Sequence, residues 1–194
     1  DLLVSNCNYV KYLTGAKNLF PSLDYRVYHE IVFENNISIP FDFRNVGDNY
    51  YDKKWELKVL SSKVYNSKGF YIPNPLNHFY ALLYHAFVHK HKVAPDYIKK
   101  LCNYAKEVNV DFRENSSDIE VLKLLNSFMN SKKYIYTPPK DITVFFNKTF
   151  LNLSSSNALE KSSKLVSSTV NRTYSNAYVT EVFQFEEYFL KLAT

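Results

Sequence analysis

The stretch DYRVYHEIVFENNISIPFDFR, residues 24–44, decides the fold. Apolar and polar residues alternate on both sides of the turn-forming ENN at 34–36, the pattern of an antiparallel hairpin with one half-buried face. Val27, His29, Ile31 and Phe33 share a face of the first arm. On the second arm Ile37, Ile39, Phe41 and Phe43 line one side and Ser38, Asp42 and Arg44 the other, because successive strand side chains point to opposite faces. An aspartate inside such a run has two readings. One is a solvated position at a sheet edge, the ordinary place for a carboxylate. The other is a carboxylate delivered to a metal ion by a rigid strand.

Outward from the hairpin, Leu2–Val4 reads as a buried strand and NYVKYLTGAKNLF (8–20) as a short helix closed by Pro21. DKKWELKVLSS (52–62) predicts a helix, and GFYIPNP (69–75) an extended segment ending in prolines. PLNHFYALLYHAFVHKHK (75–92) starts with Pro75 at a first-turn position and puts Leu76, Phe79, Tyr80, Leu83 and Phe87 on one broad face. A second helix over 94–110 presents Tyr97, Leu101, Tyr104 and Val108. A third follows a serine cap signal, with Ile119, Leu122, Leu125 and Met129. Tyr50, Tyr51 and Trp55 are expected to pack on the helix of 75–91, since large aromatics mostly supply core area. After residue 140 the texture changes. ITVFFN (142–147) reads as a strand, LSSSNALEKSS (153–163) as a loop or linker, and 164–194 as three strand-like runs. The expected architecture is α+β. A domain over 1–140 joins a sheet that includes the hairpin to a helical segment packed on it, and a small antiparallel β piece occupies 141–194.

The chain has 194 residues, enough for one full domain or two small ones. It is rich in aromatics, 17 Tyr and 15 Phe, with only 3 Gly. A net charge of +5 suits an anionic ligand such as a nucleotide, but the lysines are scattered, which argues against a nucleic-acid groove. No apolar run reaches the length of a membrane span. Cys7 and Cys102 form neither a disulfide framework nor a metal motif, as expected of reduced thiols in a cytoplasmic protein. The chain opens on DLLVS without a methionine and closes on EYFLKLAT in mid-strand, so it reads as a piece of a longer protein.

DLLV at the start, the hairpin ending in IPFDFR, then GDNYYDKKWE, GFYIPNP and HFYALLYHAFVHK together resemble a nucleotidyltransferase family found in bacterial polysaccharide gene clusters. The resemblance covers roughly residues 1–130. In that superfamily an Asp-x-Asp pair follows a Gly-Ser turn on one strand, and a third carboxylate comes from a neighbouring antiparallel strand. Asp1 matches the second member of the pair and Asp42 the third carboxylate, while the turn and the first aspartate would lie upstream. The resemblance thus implies Asp1 and Asp42 as catalytic residues and Mg²⁺ ligands, with their carboxyl groups within about 6 Å of each other. The implied reaction is transfer of a nucleotidyl group from an NTP to an acceptor hydroxyl, on a sugar or lipid-linked glycan. Arg44, on the same face as Asp42, would neutralise phosphate charge.

His78, His85 and His89 form a stripe along the helix of 75–91. His85 and His89 have the spacing of a zinc pair, but no third ligand with suitable spacing follows. They read instead as partly buried structural histidines or, through the resemblance, as nucleotide contacts together with Lys90. Lys90 and Lys92 equally suit a helix end, where cations are favoured. Residues 164–194 resemble the start of a protein-kinase-like N-lobe, with Lys191 in FLKLA at the place of the phosphate-binding lysine, although VNRTYSNAY (170–178) contains no glycine. An ordinary β-hairpin accounts for the same residues. The rival functions are a kinase-like phosphotransferase and a non-catalytic nucleotide- or glycan-binding module.

Overall fold

The structure is a computed structural model and describes residues 2–18, 28–32 and 37–153. The chain divides into two compact units, Asp1–Leu159 and Glu160–Thr194, and every described residue belongs to the first. That unit is α+β. Its elements run β1 (Leu2–Val4), α1 (Cys7–Thr14), β2 (Lys17–Asn18), β3 (Tyr28–Val32), β4 (Ser38–Asn45), α2 (Lys53–Ser61), β5 (Val64–Tyr65), β6 (Tyr71–Ile72), α3 (Pro75–Val88), α4 (Pro95–Glu107), α5 (Asp118–Lys132) and α6 (Lys148–Leu151).

The hairpin forms as its alternation predicts. β3 pairs antiparallel with β4, Tyr28 opposite Asp42 and Val32 opposite Ser38. The four-stranded sheet has the order β1-β4-β3-β2, so β4 lies in its middle. β1 runs parallel to β4, with Leu2 opposite Phe43 and Val4 opposite Asn45. The first strand and the strand of Asp42 are therefore neighbours, but not in the antiparallel sense that the resemblance implies. The connection explains the direction. α1 returns the chain after β1, so β2 sets out along β1, and the two antiparallel steps β2–β3 and β3–β4 leave β4 pointing the same way. α1 itself starts at Asn6, whose side chain caps the Tyr9 N–H, and stops at Gly15 with φ +69°, a left-handed conformation that suits a residue without Cβ.

The helices form where periodicity and caps coincide. Asp52 caps α2 by accepting from Lys54 and Trp55 N–H, and Asn74 caps α3, whose first residue is Pro75. α5 opens with a reciprocal capping box between Ser117 and Glu120. α3 is the central helix of the unit and packs against α4, α5 and α6. Its buried Phe79, Leu83 and Tyr84 join Leu101 of α4 and Leu122, Leu125 and Met129 of α5 in one core. Trp55 is fully buried in it, stacked on Tyr134 and edge-on to Tyr84 and Phe128. Tyr51 donates to the Ala81 carbonyl at 3.2 Å and Tyr50 is buried against His85, so all three aromatics pack on α3.

The structure departs from the sequence reading in several places. The helix read over 8–20 ends at Thr14, and Lys17–Asn18 pairs as β2 instead. The segment 142–147 forms turns and coil rather than a strand. Its backbone hydrogen bonds are taken elsewhere: the Thr143 N–H donates to the Asp141 side chain, and the Asn147 N–H reaches the Val88 carbonyl at the end of α3. Residues 141–153 thus pack on the first unit, which continues past the boundary expected near 140, and Phe150 is buried in its core. β5 and β6 pair as a small second hairpin where the sequence predicts only an extended segment at 69–75. The strand-like runs of 164–194 lie outside the described residues. Among the described residues, no helix is long and apolar enough to cross a membrane.

Candidate functional site

β4 carries Asp42 and Arg44 on one face, which is exposed at Ser38 and Pro40 but covered where Asp42 and Arg44 stand. Arg44 is 6% exposed. Its guanidinium stands 3.4 Å from Asp42 Oδ2 on one side and 3.4 Å from Asp141 Oδ2 on the other. Asp141 is held in turn by the Thr143 N–H at 2.9 Å and hydroxyl at 2.6 Å, both on Oδ1. Both of its oxygens are therefore engaged. Tyr50 closes the third side, its ring 4.2 Å from the guanidinium carbon, a cation–π contact made in a nearly dry setting.

Tyr50 links this ion-pair cluster to α3. Its hydroxyl makes a short hydrogen bond with Nδ1 of His85, whose Nε2 lies 3.1 Å from the Tyr97 hydroxyl on α4. Burial, then the nearby charges of Lys90 and Arg44, lower the His85 pKa to about 4. Burial likewise raises the Tyr50 phenol well above its ordinary range. Both groups are neutral at neutral pH, so His85 can accept from one tyrosine while donating to the other.

His89 lies one turn beyond His85, at the C-cap of α3. Its ring lies 4.2 Å from that of Tyr50 and 5.0 Å from that of Tyr84. It is only 3% exposed, yet neither ring nitrogen has a hydrogen-bond partner among the described residues. Burial, His85, Arg44 and Lys90 together lower its pKa to about 3, so it holds one donor and one acceptor as a neutral ring. Asp42 Oδ1 and Arg44 Nε are also buried without a partner among the described residues. Unpaired buried polar groups are rare and costly, so their concentration here makes the cluster the candidate site. The cluster offers a carboxylate oxygen, a guanidinium N–H and a neutral imidazole, a set that suits a phosphate-bearing ligand together with a hard cation. As a neutral ring, His89 offers one hydrogen-bond donor and one acceptor.

Four of the residues singled out from sequence, Asp42, Arg44, His85 and His89, belong to this one cluster. Lys90 sits just beyond α3, exposed, and acts on both histidines through its charge. Asp1 and Lys191 lie outside the described residues. Asp42 Oδ1 is buried without a hydrogen-bond partner among the described residues, and a carboxylate oxygen is the donor type Mg²⁺ takes, alongside phosphate and water. Among the described residues, no three His, Cys, Asp or Glu side chains group as a metal site. Asp141 and Tyr97 carry no sequence signal for a place here, and Tyr50 reads from sequence as core. The chain matches no family model, no curated protein and no solved structure, so the chemistry of the site rests on its own geometry.

Proposed function

We propose that the chain belongs to a Mg²⁺-dependent nucleotidyltransferase-like protein that moves a nucleotidyl group from an NTP to an acceptor hydroxyl, as in polysaccharide biosynthesis. The observation that carries this reading is Asp42. Its strand neighbours β1, and one of its oxygens is buried beside a guanidinium without a hydrogen-bond partner among the described residues. In this reading Asp42 and Asp1 would hold the ion, which would supply positive charge for an attacking hydroxyl and a leaving pyrophosphate. Arg44 contacts phosphate through its unpaired Nε. His89 hydrogen-bonds the nucleotide through ring nitrogens unpaired among the described residues. His85, whose two nitrogens are taken by Tyr50 and Tyr97, stands behind it as a support rather than the direct contact the resemblance implies. Lys90 adds positive charge at the rim. The setting is the cytoplasm.

A non-catalytic nucleotide-binding module is the second reading. It is favoured by the ion pairs themselves, since Arg44 already neutralises Asp42 and both Asp141 oxygens are engaged. Calorimetry of the chain with each NTP, with and without Mg²⁺, followed by an assay of labelled NTP with sugar acceptors, tests both. Mg²⁺-dependent binding with transfer supports the first reading, binding without Mg²⁺ dependence or transfer supports the second, and no binding refutes both.

A further inference from the structure

Away from the Asp42 cluster, a cavity of about 480 Å³ opens between α2, the start of α3 and α5. Leu76, Val108, Phe128 and Tyr134 make its apolar wall, while Lys58 and Lys132 stand at it with exposed side chains. Among the described residues, none that lines it is acidic. Its volume lies in the range of small-molecule sites, which combine an apolar body with a few polar groups that orient the ligand. The first turn of α3 faces it as well, adding the positive end of that helix to the field of the two lysines.

We propose that this cavity binds a small amphipathic anion, an aromatic or short alkyl body that carries a phosphate or carboxylate. The body lies against Phe128 and Tyr134, and the anionic head lies between Lys58 and Lys132. An anion alone would leave the apolar wall wetted, and an apolar molecule alone would leave two cations without a counter-charge. The ligand class therefore needs both parts. None of the residues lining the cavity belongs to the Asp42 cluster, so this site stands whether or not that cluster transfers nucleotides.

The chain carries its own reporter. Trp55 is its single tryptophan, and its indole N–H donates to Asn77 Oδ1 at 3.0 Å, a residue of the cavity wall. Its ring also packs on Phe128 and Tyr134, with centroids 5.2 and 5.7 Å away. The test titrates the full chain with phenyl phosphate, following the single indole N–H resonance and the heat of binding, with phenol and inorganic phosphate as the separate halves. Phenyl phosphate is expected to move the indole signal saturably and to bind at least about tenfold more tightly than either half. Lys58→Ala with Lys132→Ala is expected to weaken it about tenfold, as the loss of two partly screened ion pairs does. Leu76→Glu, a new negative charge on an exposed wall residue, is expected to weaken it likewise while the far-ultraviolet dichroism stays native. Absence of saturable binding overturns the proposal. So does equal binding of phenol or phosphate alone, or unchanged affinity in both variants.

Discussion

The guanidinium of Arg44 meets the carboxylate of Asp141, 97 residues further along the chain, at 3.4 Å, and both side chains are buried. This pair ties the segment after α5 to the middle of the sheet. Removing one partner of a buried pair leaves the other charge uncompensated, which costs far more than the net worth of the pair. Asp141→Ala is therefore expected to destabilise the unit by about 3 kcal/mol. Asp141→Asn, which keeps an acceptor for Thr143, is expected to cost less. Urea unfolding measures both, and a cost within error of zero for Asp141→Ala would remove the pair from the account.

Glu56 gives a pH dependence of definite sign. Its side chain is fully buried at the start of α2, and its two oxygens accept the N–H groups of Gly47 at 2.6 Å and Tyr51 at 3.1 Å. Burial outweighs those two hydrogen bonds, and with Asp48 beside it the carboxyl is pushed up to about 7. A carboxyl whose folded pKa is raised contributes stability that is fully present below its unfolded pKa and lost as pH rises through the folded one. Between about pH 4.5 and 7 the Glu56 contribution therefore falls, by on the order of 3 kcal/mol at most. His85 and His89, with lowered pKa values, act in the opposite sense and lose stability as pH falls below about 6.5. The clean readout is the difference between wild type and Glu56→Gln in urea midpoints from pH 4 to 8. The wild type is expected to lose ground relative to the variant as pH rises. A difference independent of pH contradicts the assignment.

Tyr50→Phe keeps the ring over Arg44 and removes only the hydroxyl that bonds His85. A buried nitrogen left without its partner costs about 1–3 kcal/mol. The expected result is a loss in that range, with the His85 imidazole resonances shifted in NMR spectra. Unchanged stability and unchanged imidazole signals would show that the hydroxyl does not hold the ring.

Trp55 fills the junction of α2, α3 and α5, and no smaller side chain replaces its contacts with Tyr84, Phe128 and Tyr134. Trp55→Ala is expected to cost about 3–5 kcal/mol by cavity formation, measured by thermal or urea unfolding.

The elements governed by local pattern were legible in the sequence. The β3–β4 hairpin follows from alternation, and α2, α3 and α5 follow from periodicity joined to Asp52, Asn74 and Ser117 caps. The elements governed by distant contacts were not. Alternation assigns Asp42 and Arg44 to one face, but only the approach of Asp141 and Tyr50 turns that face from wet to buried. In 142–147 the β-prone side chains lose to backbone hydrogen bonds with Asp141 and Val88, partners no local window contains. The two-residue strands β5 and β6 are too short for a period to register. Of the residues in the cluster, Asp42, Arg44, His85 and His89 were singled out from sequence, and the structure brings the four together. Asp141 and Tyr97 were not, because they take part only through the tertiary fold.

The most direct test of the central claim is the Mg²⁺ dependence of NTP affinity in Asp42→Asn, measured by calorimetry beside the wild type. The substitution is nearly isosteric and keeps an acceptor for Arg44, so the fold is expected to survive with a stability change near 1 kcal/mol. It removes the charge that holds the cation. The account predicts that Mg²⁺ tightens NTP binding in the wild type and no longer does so in Asp42→Asn, with transfer, where the wild type shows it, falling about 10²-fold or more. Equal Mg²⁺ dependence in the two proteins would show that Asp42 is no metal ligand and would contradict the nucleotidyltransferase reading.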